Sequence, residues 1–278
     1  MDSFESLLTL ALQEDLGEIG DVTSRAIFSQ ESGRARLISK DDGVLAGQPY
    51  FRRVFSRIDP DVMVRFSKND GDTLSVGDEV AVLSGRVVSL LEGERTAINF
   101  LSFLSGIATE SRRYAEAASS GRATILDTRK TLPGYRTLSK YAVALGGAGN
   151  HRMGLYDMVM IKDNHIDAAG SITAAVQRIR DAWSTRFRVE VETRSLDEVA
   201  EALDAGADII MLDNMDEATC SRAVEMGAGR AVFEASGNMN LTRVESYSKV
   251  GLDYISVGAL THSVTAFDFS MRMAIDES

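Results

Sequence analysis

The chain has 278 residues, 44% of them hydrophobic and 26% charged. These are ordinary globular values, which exclude disorder and fibrous architecture and leave room for two domains or for a barrel with an appendage. Acidic residues (41) outnumber basic ones (30), for a formal charge of -11, so no global basic field exists to attract nucleic acid or an anionic membrane.

In chain order, residues 4–16 are leucine-rich but punctuated by Glu5, Glu14 and Asp15. With no basic leader, the segment reads as an amphipathic helix over 3–15 rather than a signal peptide. Strand-like stretches follow at 34–40, 62–67 and 80–84, the later two separated by the turn chemistry of Asn69-Asp70-Gly71-Asp72 and Gly77-Asp78. From 88 to 119 the pattern is helical, as one long helix or two joined near Gly106. Leu90, Leu91, Ile98, Leu101 and Leu104 fall at helical spacing with charges between them.

Beyond residue 120 the rhythm changes. Short β-rich runs at 124–126, 158–161, 188–191, 209–212, 231–234 and 254–257 alternate with amphipathic stretches around 141–145 and at 172–183, 196–204, 217–226 and 241–250. The strand-to-strand spacing of about 20 to 35 residues suits a βα repeat with crossover helices. An incomplete (β/α)8-type barrel is the reading, with a doubly wound open sheet as competitor. The absence of a glycine-rich dinucleotide fingerprint after the first strand favours the barrel. No window of 18 uncharged apolar residues predicts a membrane span. The single cysteine, Cys220, can form neither an internal disulfide nor a cysteine-based metal site, which fits a reducing, cytoplasmic setting.

In a barrel, the C-terminal strand ends converge on one mouth. The residues at those ends are Asp127, Thr128, Arg129 and Lys130; Lys162; Glu192; Asp213; Ser236 and Gly237; and Gly258 and His262. Between Arg95 and Lys162 ten Lys and Arg stand against four acids, a basic segment inside an acidic protein. Such a concentration implies a small, strongly anionic ligand, and arginine's planar fork suits carboxylate and phosphate. Arg112, Arg113 and Arg122 read as a solvated helix face; Arg129, Lys130, Arg152 and Lys162 read as site residues. Glu192 and Asp213 suit Mg²⁺, which takes one or two carboxylates and completes its shell with substrate oxygens and water; the alternative is that they neutralise the lysines as a structural network. His151, His165 and His262 lack zinc spacing. Ser236-Gly237 and Gly258-Ala259 occupy the usual barrel position for a phosphate held by backbone N–H groups. A barrel lyase with Lys162 as Schiff-base nucleophile is a rival reading, and a non-enzymatic anion sensor is another.

Ordered blocks along the chain resemble the nicotinate-nucleotide pyrophosphorylase (quinolinate phosphoribosyltransferase) family. They are Glu14-Asp15-Leu16-Gly17, Gly20-Asp21-Val22-Thr23-Ser24, Glu94-Arg95-Thr96-Ala97-Ile98-Asn99, Leu104-Ser105-Gly106-Ile107-Ala108-Thr109, Asp127-Thr128-Arg129-Lys130-Thr131 and Asn150-His151-Arg152. Further blocks are Ile161-Lys162-Asp163-Asn164-His165, Val189-Glu190-Val191-Glu192, Met211-Leu212-Asp213-Asn214, Glu234-Ala235-Ser236-Gly237 and Val257-Gly258-Ala259-Leu260-Thr261-His262.

The resemblance implies an N-terminal α/β sandwich-like domain (1–107) and an incomplete α/β barrel (108–278) of the type II phosphoribosyltransferase fold, with the C-terminal tail packing back on the first domain. It implies a homodimer, or a higher oligomer, in which each N-terminal domain caps the partner's barrel. The implied reaction joins quinolinate to phosphoribosyl pyrophosphate, giving nicotinate mononucleotide, pyrophosphate and carbon dioxide in NAD biosynthesis. Arg129, His151, Arg152 and Lys162 would hold the quinolinate carboxylates, with Arg95 reaching in from the partner. Lys130 would lie near the pyrophosphate, and Thr128 would belong to the substrate-binding set. Glu192 and Asp213 would serve the ribose hydroxyls and Mg²⁺, and Ser236, Gly237, Asn238 and Gly258 the 5′-phosphate, with His262 nearby. Lys130, Lys162, Glu192 and Asp213 would be the catalytic set. Three positions depart from the family pattern: Asn238 where a second glycine is usual, Leu132 where threonine is common, and Ala148 where glycine is. A paralogous branch associated with molybdenum uptake shares the scaffold, and the intact Arg129-Lys130 and His151-Arg152 pairs favour the quinolinate enzyme. Asn tolerates positive φ, so the phosphate turn is expected to form.

Overall fold

The computed structural model describes residues 3–275. The described residues divide into two compact units: 3–112, 132–147 and 264–275 in the first, 113–131 and 148–263 in the second.

The first unit opens with α1 (Ser3–Leu16) and α2 (Val22–Ile27), the latter capped by Asp21. It continues through β1 (Ser32–Ser39), β2 (Gly43–Val44), α3 (Gln48–Ile58), β3 (Met63–Phe66), β4 (Thr73–Leu74), β5 (Glu79–Arg86) and the start of α4 (Val87–Ala117). β1 alternates exposed and buried residues, the period-two signature of a half-buried strand, and pairs antiparallel with β5, which pairs in turn with β3. The α3 helix turns Phe51, Val54 and Phe55 inward, where the Phe51 and Phe55 rings pack in a tilted arrangement, 5.2 Å between centroids. The sequence reading does not include α3, although Phe51, Val54, Phe55 and Ile58 stand at i, i+3, i+4 and i+7, the spacing of a helix face.

α4 is one 31-residue helix, so the alternative of two helices joined near Gly106 does not hold. Gly106 is needed for a different reason. A Cβ there would lie 2.2 Å from the carbonyl oxygen of Thr265, so the position admits the close approach of another backbone segment.

α5 (Arg136–Leu145) also clusters with the first unit. Arg112 fastens its end, donating from Nε to the Gly146 carbonyl at 3.0 Å and so satisfying one of the helix's terminal acceptors. Arg112 therefore does structural work rather than belonging to a merely solvated face. The tail residues 264–275 join the same unit.

The second unit contains β6 (Thr124–Leu126), β7 (Val159–Ile161), α6 (Asp163–Ala169), α7 (Ile172–Trp183), β8 (Val189–Thr193), α8 (Leu196–Asp204), β9 (Ile209–Asp213), α9 (Glu217–Gly227), β10 (Val232–Ser236), α10 (Leu241–Tyr247), β11 (Tyr254–Ser256) and α11 (Ala259–His262). The tail of the first unit then ends in β12 (Phe269–Ile275), antiparallel to β1. These pairings are long-range and leave no local sequence signal.

All six strands of the second unit are parallel, in the order β6-β11-β10-β9-β8-β7. Consecutive strands from β7 to β11 are neighbours, and β6 pairs with the last strand rather than with β7. The order contains no reversal of the doubly wound kind; it is a barrel left open between β6 and β7. Val189 and Val191 are fully buried, and the alternation along β8 places Glu190 and Glu192 on the opposite, inner face.

Candidate active site

A cavity of about 630 Å³ opens at the C-terminal strand ends of the barrel, and all its lining residues belong to the second unit. It gathers Thr128, Arg129 and Lys130 from after β6, His151 and Arg152 from the loop before β7, and Lys162 from the end of β7. Glu192, Asp213, Ser236, Gly237, Asn238, Gly258 and His262 complete the set foreseen at the strand ends. Arg95 is the exception: it lies on α4, exposed, in the first unit, and does not line this cavity.

Local structure fixes each cation. Asp127 is fully buried, and its Oδ1 accepts the backbone N–H of His151 at 2.8 Å, tying the 150–152 loop to the end of β6. The carbonyl of Lys130 accepts from the buried hydroxyl of Thr261 at 2.8 Å. Lys162 caps α6, and its backbone N–H donates to His165 Nδ1 at 3.0 Å, which orients the side chain leaving the strand. The Lys162 ammonium donates to Glu192 Oε2 at 2.6 Å. Arg152 donates from Nη1 to the carbonyl of Met158 at 3.2 Å, and its buried Nε–H has no hydrogen-bond partner. Burial, followed by the charge of Arg129, pushes the Arg152 guanidinium below its usual pKa. Two guanidinium groups held together with an unused donor form a ready receptor for a carboxylate.

The phosphate-type turn follows β10. Gly237 has φ +104, and a Cβ there would lie 2.2 Å from Asn214 Oδ1, so only glycine fits. Asn238 adopts φ 48, within the left-handed region that Asn tolerates, and its Nδ2 donates to Asn214 Oδ1 at 3.3 Å. Arg243 buttresses the turn, donating from Nη1 to the carbonyls of Gly237 and Asn238 at 3.2 and 3.3 Å. The sequence reading missed Arg243, Asn214 and Ser256. Arg243 lies on α10, where it reads as an ordinary solvated arginine.

Beneath the cavity lies a buried polar cluster that the sequence reading did not assign. Glu190 and Glu234 are 0% and 1% exposed, and His151 completes a group whose ligand-type atoms lie within 4.8 Å of one another. His151 Nε2 is 3.2 Å from Glu190 Oε2 and 3.5 Å from Glu234 Oε2. Neither Glu190 oxygen completes a hydrogen bond, so that contact is one of proximity. His151 Nδ1 accepts the backbone N–H of Arg152 at 2.7 Å. With Nδ1 engaged as an acceptor, the ring turns its Nε2 toward the two carboxyl groups. Glu234 Oε1 lies 2.5 Å from Ser256 Oγ. Burial, then the facing Glu190 carboxylate, push the Glu234 carboxyl up to about 8. A cue was present in the sequence: Glu190 and Glu234 each stand two residues before a cavity residue (Glu192, Ser236), hence on the same strand face.

No helix among the described residues is long and apolar enough to cross a membrane. Family models for the C-terminal and N-terminal domains of quinolinate phosphoribosyl transferase match residues 107–272 and 21–105. A probable nicotinate-nucleotide pyrophosphorylase (carboxylating) of Bacillus subtilis (strain 168) is 41% identical over 271 residues, covering 98% of this chain and 93% of the relative. Its counterpart from Synechocystis sp. (strain ATCC 27184 / PCC 6803 / Kazusa) is 43% identical over 265 residues, covering 94% of this chain and 90% of the relative. The crystal structure of NadC from Streptococcus pyogenes superposes with a TM-score of 0.95 at 42% identity, covering 99% of this chain and 97% of that one. Two family models matched along nearly the whole chain, and a barrel shared at this level, place it in the quinolinate phosphoribosyl transferase family.

Proposed function

We propose that this chain transfers the phosphoribosyl group of phosphoribosyl pyrophosphate to quinolinate, with decarboxylation to nicotinate mononucleotide, the activity for which its relatives are named. The observation that carries the reading is the convergence of Arg129, Lys130, Arg152 and Lys162 with a glycine-containing turn and two carboxylates in one cavity. A pyridine dicarboxylate needs paired cations, and an activated sugar phosphate needs a cradle of backbone donors and a cation-assisted leaving group.

Arg129, Arg152 and Lys162 bind and orient quinolinate so that its ring nitrogen faces the anomeric carbon. His151 lines the cavity beside them, and its Nδ1, accepting the backbone N–H of Arg152, also positions that arginine. Ser236, Gly237, Asn238 and Gly258 hold the 5′-phosphate, and Lys130 and Thr128 the pyrophosphate. As the bond to pyrophosphate lengthens, positive charge grows on the sugar and negative charge on the leaving group. Preorganised charge and positioning supply the acceleration without a covalent nucleophile. Glu192 and Asp213 fit Mg²⁺, being oxygen donors at adjacent strand ends that open on the cavity. The ion, when bound, neutralises pyrophosphate oxygens. The Schiff-base alternative is disfavoured, since the Lys162 ammonium is ion-paired with Glu192 and its side chain is 44% exposed, unlike a desolvated amine.

The site is completed by a second copy of the chain, whose Arg95 reaches the cavity; this assignment rests on the family pattern and on the exposure of Arg95. A reducing, cytoplasmic setting is part of this reading, supported by the buried, unpaired Cys220. The test is to mix the purified protein with quinolinate, phosphoribosyl pyrophosphate and Mg²⁺. Equal amounts of mononucleotide and pyrophosphate are expected; pyrophosphate without the mononucleotide, or neither, would refute the reading.

A further inference from the structure

The proposed reaction leaves one proton unaccounted for. When the carboxylate at ring carbon 2 departs as carbon dioxide, the C–C bond breaks and its electron pair stays on that carbon, beside the cationic ring nitrogen. Until the carbanion is protonated, carbon dioxide can recombine with it. A nearby acid therefore decides whether the step runs forward. Arg129, Arg152 and Lys162 are committed as cations to the substrate or to Glu192.

The barrel floor offers a different acid. Glu234 on β10 is 1% exposed and faces three groups: the Glu190 carboxylate on β8, the Nε2 edge of His151 from the 150–152 loop, and Ser256 on β11. The Lys162 ammonium, from the end of β7, also bears on it. His151 Nε2 stands 3.2 Å from Glu190 Oε2 and 3.5 Å from Glu234 Oε2, so the two buried carboxyl groups face the same ring edge. Burial, then the facing Glu190 carboxylate, favour the protonated form of Glu234, since two like charges this close in a desolvated site repel strongly. Ser256 Oγ lies 2.5 Å from Glu234 Oε1, and Ser256 itself lines the cavity. With the proton on Glu234, the serine hydroxyl accepts from it and has its own hydrogen left for the cavity.

We propose that Glu234, acting through the Ser256 hydroxyl, is the acid that protonates the carbanion left by decarboxylation. The inference rests on the activity proposed above. In the step, Ser256 Oγ–H delivers its hydrogen to ring carbon 2 while the Glu234 O–H passes its proton to Ser256 Oγ. Glu234 is left as a carboxylate and regains a proton from water after product leaves. Perturbed carboxyl groups of this kind at a cavity floor are the usual equipment of acid–base catalysis.

The experiment is a rapid-quench single turnover with enzyme in excess, for the wild type, Glu234→Gln and Ser256→Ala, following pyrophosphate, mononucleotide and the phosphoribosylated dicarboxylate. In both variants pyrophosphate should appear close to the wild-type rate. Mononucleotide should form on the order of 100-fold more slowly, with the dicarboxylate nucleotide accumulating in between. Equal slowing of pyrophosphate and mononucleotide would mean a merely structural role and would overturn the proposal, as would unimpaired mononucleotide formation in both variants. If Glu234→Gln fails to fold, Ser256→Ala, which removes one hydroxyl, decides alone. A wild type that releases no pyrophosphate would instead sink the underlying activity, a separate result.

Discussion

Arg243 Nη1 donates to the carbonyl oxygens of both Gly237 and Asn238, at 3.2 and 3.3 Å, and so holds a turn whose two residues both have positive φ. Its guanidinium also lies over the Tyr247 ring at 5.0 Å, which fixes the arginine from behind. Substituting Arg243→Ala should release the turn without touching the cations of the cavity. Steady-state kinetics should show a raised KM for phosphoribosyl pyrophosphate and an unchanged KM for quinolinate. A change in the quinolinate KM alone would remove the turn from the phosphate subsite. Asn238→Gly should be tolerated, while Asn238→Val should mimic Arg243→Ala, because a β-branched residue resists φ 48.

Gly106→Ala tests the α4 packing. Alanine is the better helix former by about 1 kcal/mol, but its Cβ would sit 2.2 Å from the Thr265 carbonyl, and forcing extra volume into a packed backbone contact costs about 1–3 kcal/mol or more. The clash should win, lowering the thermal unfolding midpoint of the full chain. A raised midpoint would show that the 264–265 segment gives way freely.

Stability should depend on pH through Glu234. The buried carboxyl holds its proton up to about pH 8 in the folded state, whereas an unfolded chain releases it near the ordinary value of 4.5. Between these values the folded protein binds more protons than the unfolded one, so this group makes stability fall as pH rises, by on the order of a few kcal/mol in total. Chemical denaturation of wild type and Glu234→Gln from pH 5 to 8 should show the slope in the former and its loss in the latter. Parallel curves would place the proton elsewhere.

Sharing of sites between subunits has its own signature. Arg95→Ala and Lys162→Ala should each be inactive. Mixed and allowed to exchange, they form hybrids with one intact site in each, about half of a random population, so about a quarter of wild-type activity should return. No recovery after proven subunit exchange would exclude Arg95 from the partner's cavity.

The barrel was legible because its chemistry and its periodicity coincide. β-rich runs end in charged or glycine residues, and helices 172–183 and 196–204 were readable to the residue, their caps Ser171 and Ser195 standing just before the apolar pattern. Arg129, Lys130, Lys162 and Glu192 were visible as strand-end residues for the same reason. Other features were set by distance rather than by local pattern. The pairing of β12 with β1, the grouping of α5 with the first unit, and the two-residue strands β2 and β4 carry no periodic signal. The Glu190–Glu234 floor was hidden because a glutamate inside a strand ordinarily reads as solvent-facing; only the same-face relation to Glu192 and Ser236 reveals it.

The central claim is that the cavity is a receptor for a doubly ionised pyridine, with Arg152 contributing one of its charge-assisted pairs. Calorimetric titration of quinolinate and of nicotinate, which lacks one carboxylate, tests it most directly, in the wild type and in Arg152→Ala. Loss of one such pair is worth about 2 kcal/mol, roughly thirtyfold in affinity. Quinolinate should bind the wild type at least that much more tightly than nicotinate does, and Arg152→Ala should erase most of the difference while unfolding at the wild-type midpoint. Equal binding of the two ligands by the wild type, or an undiminished preference in Arg152→Ala, would contradict the account.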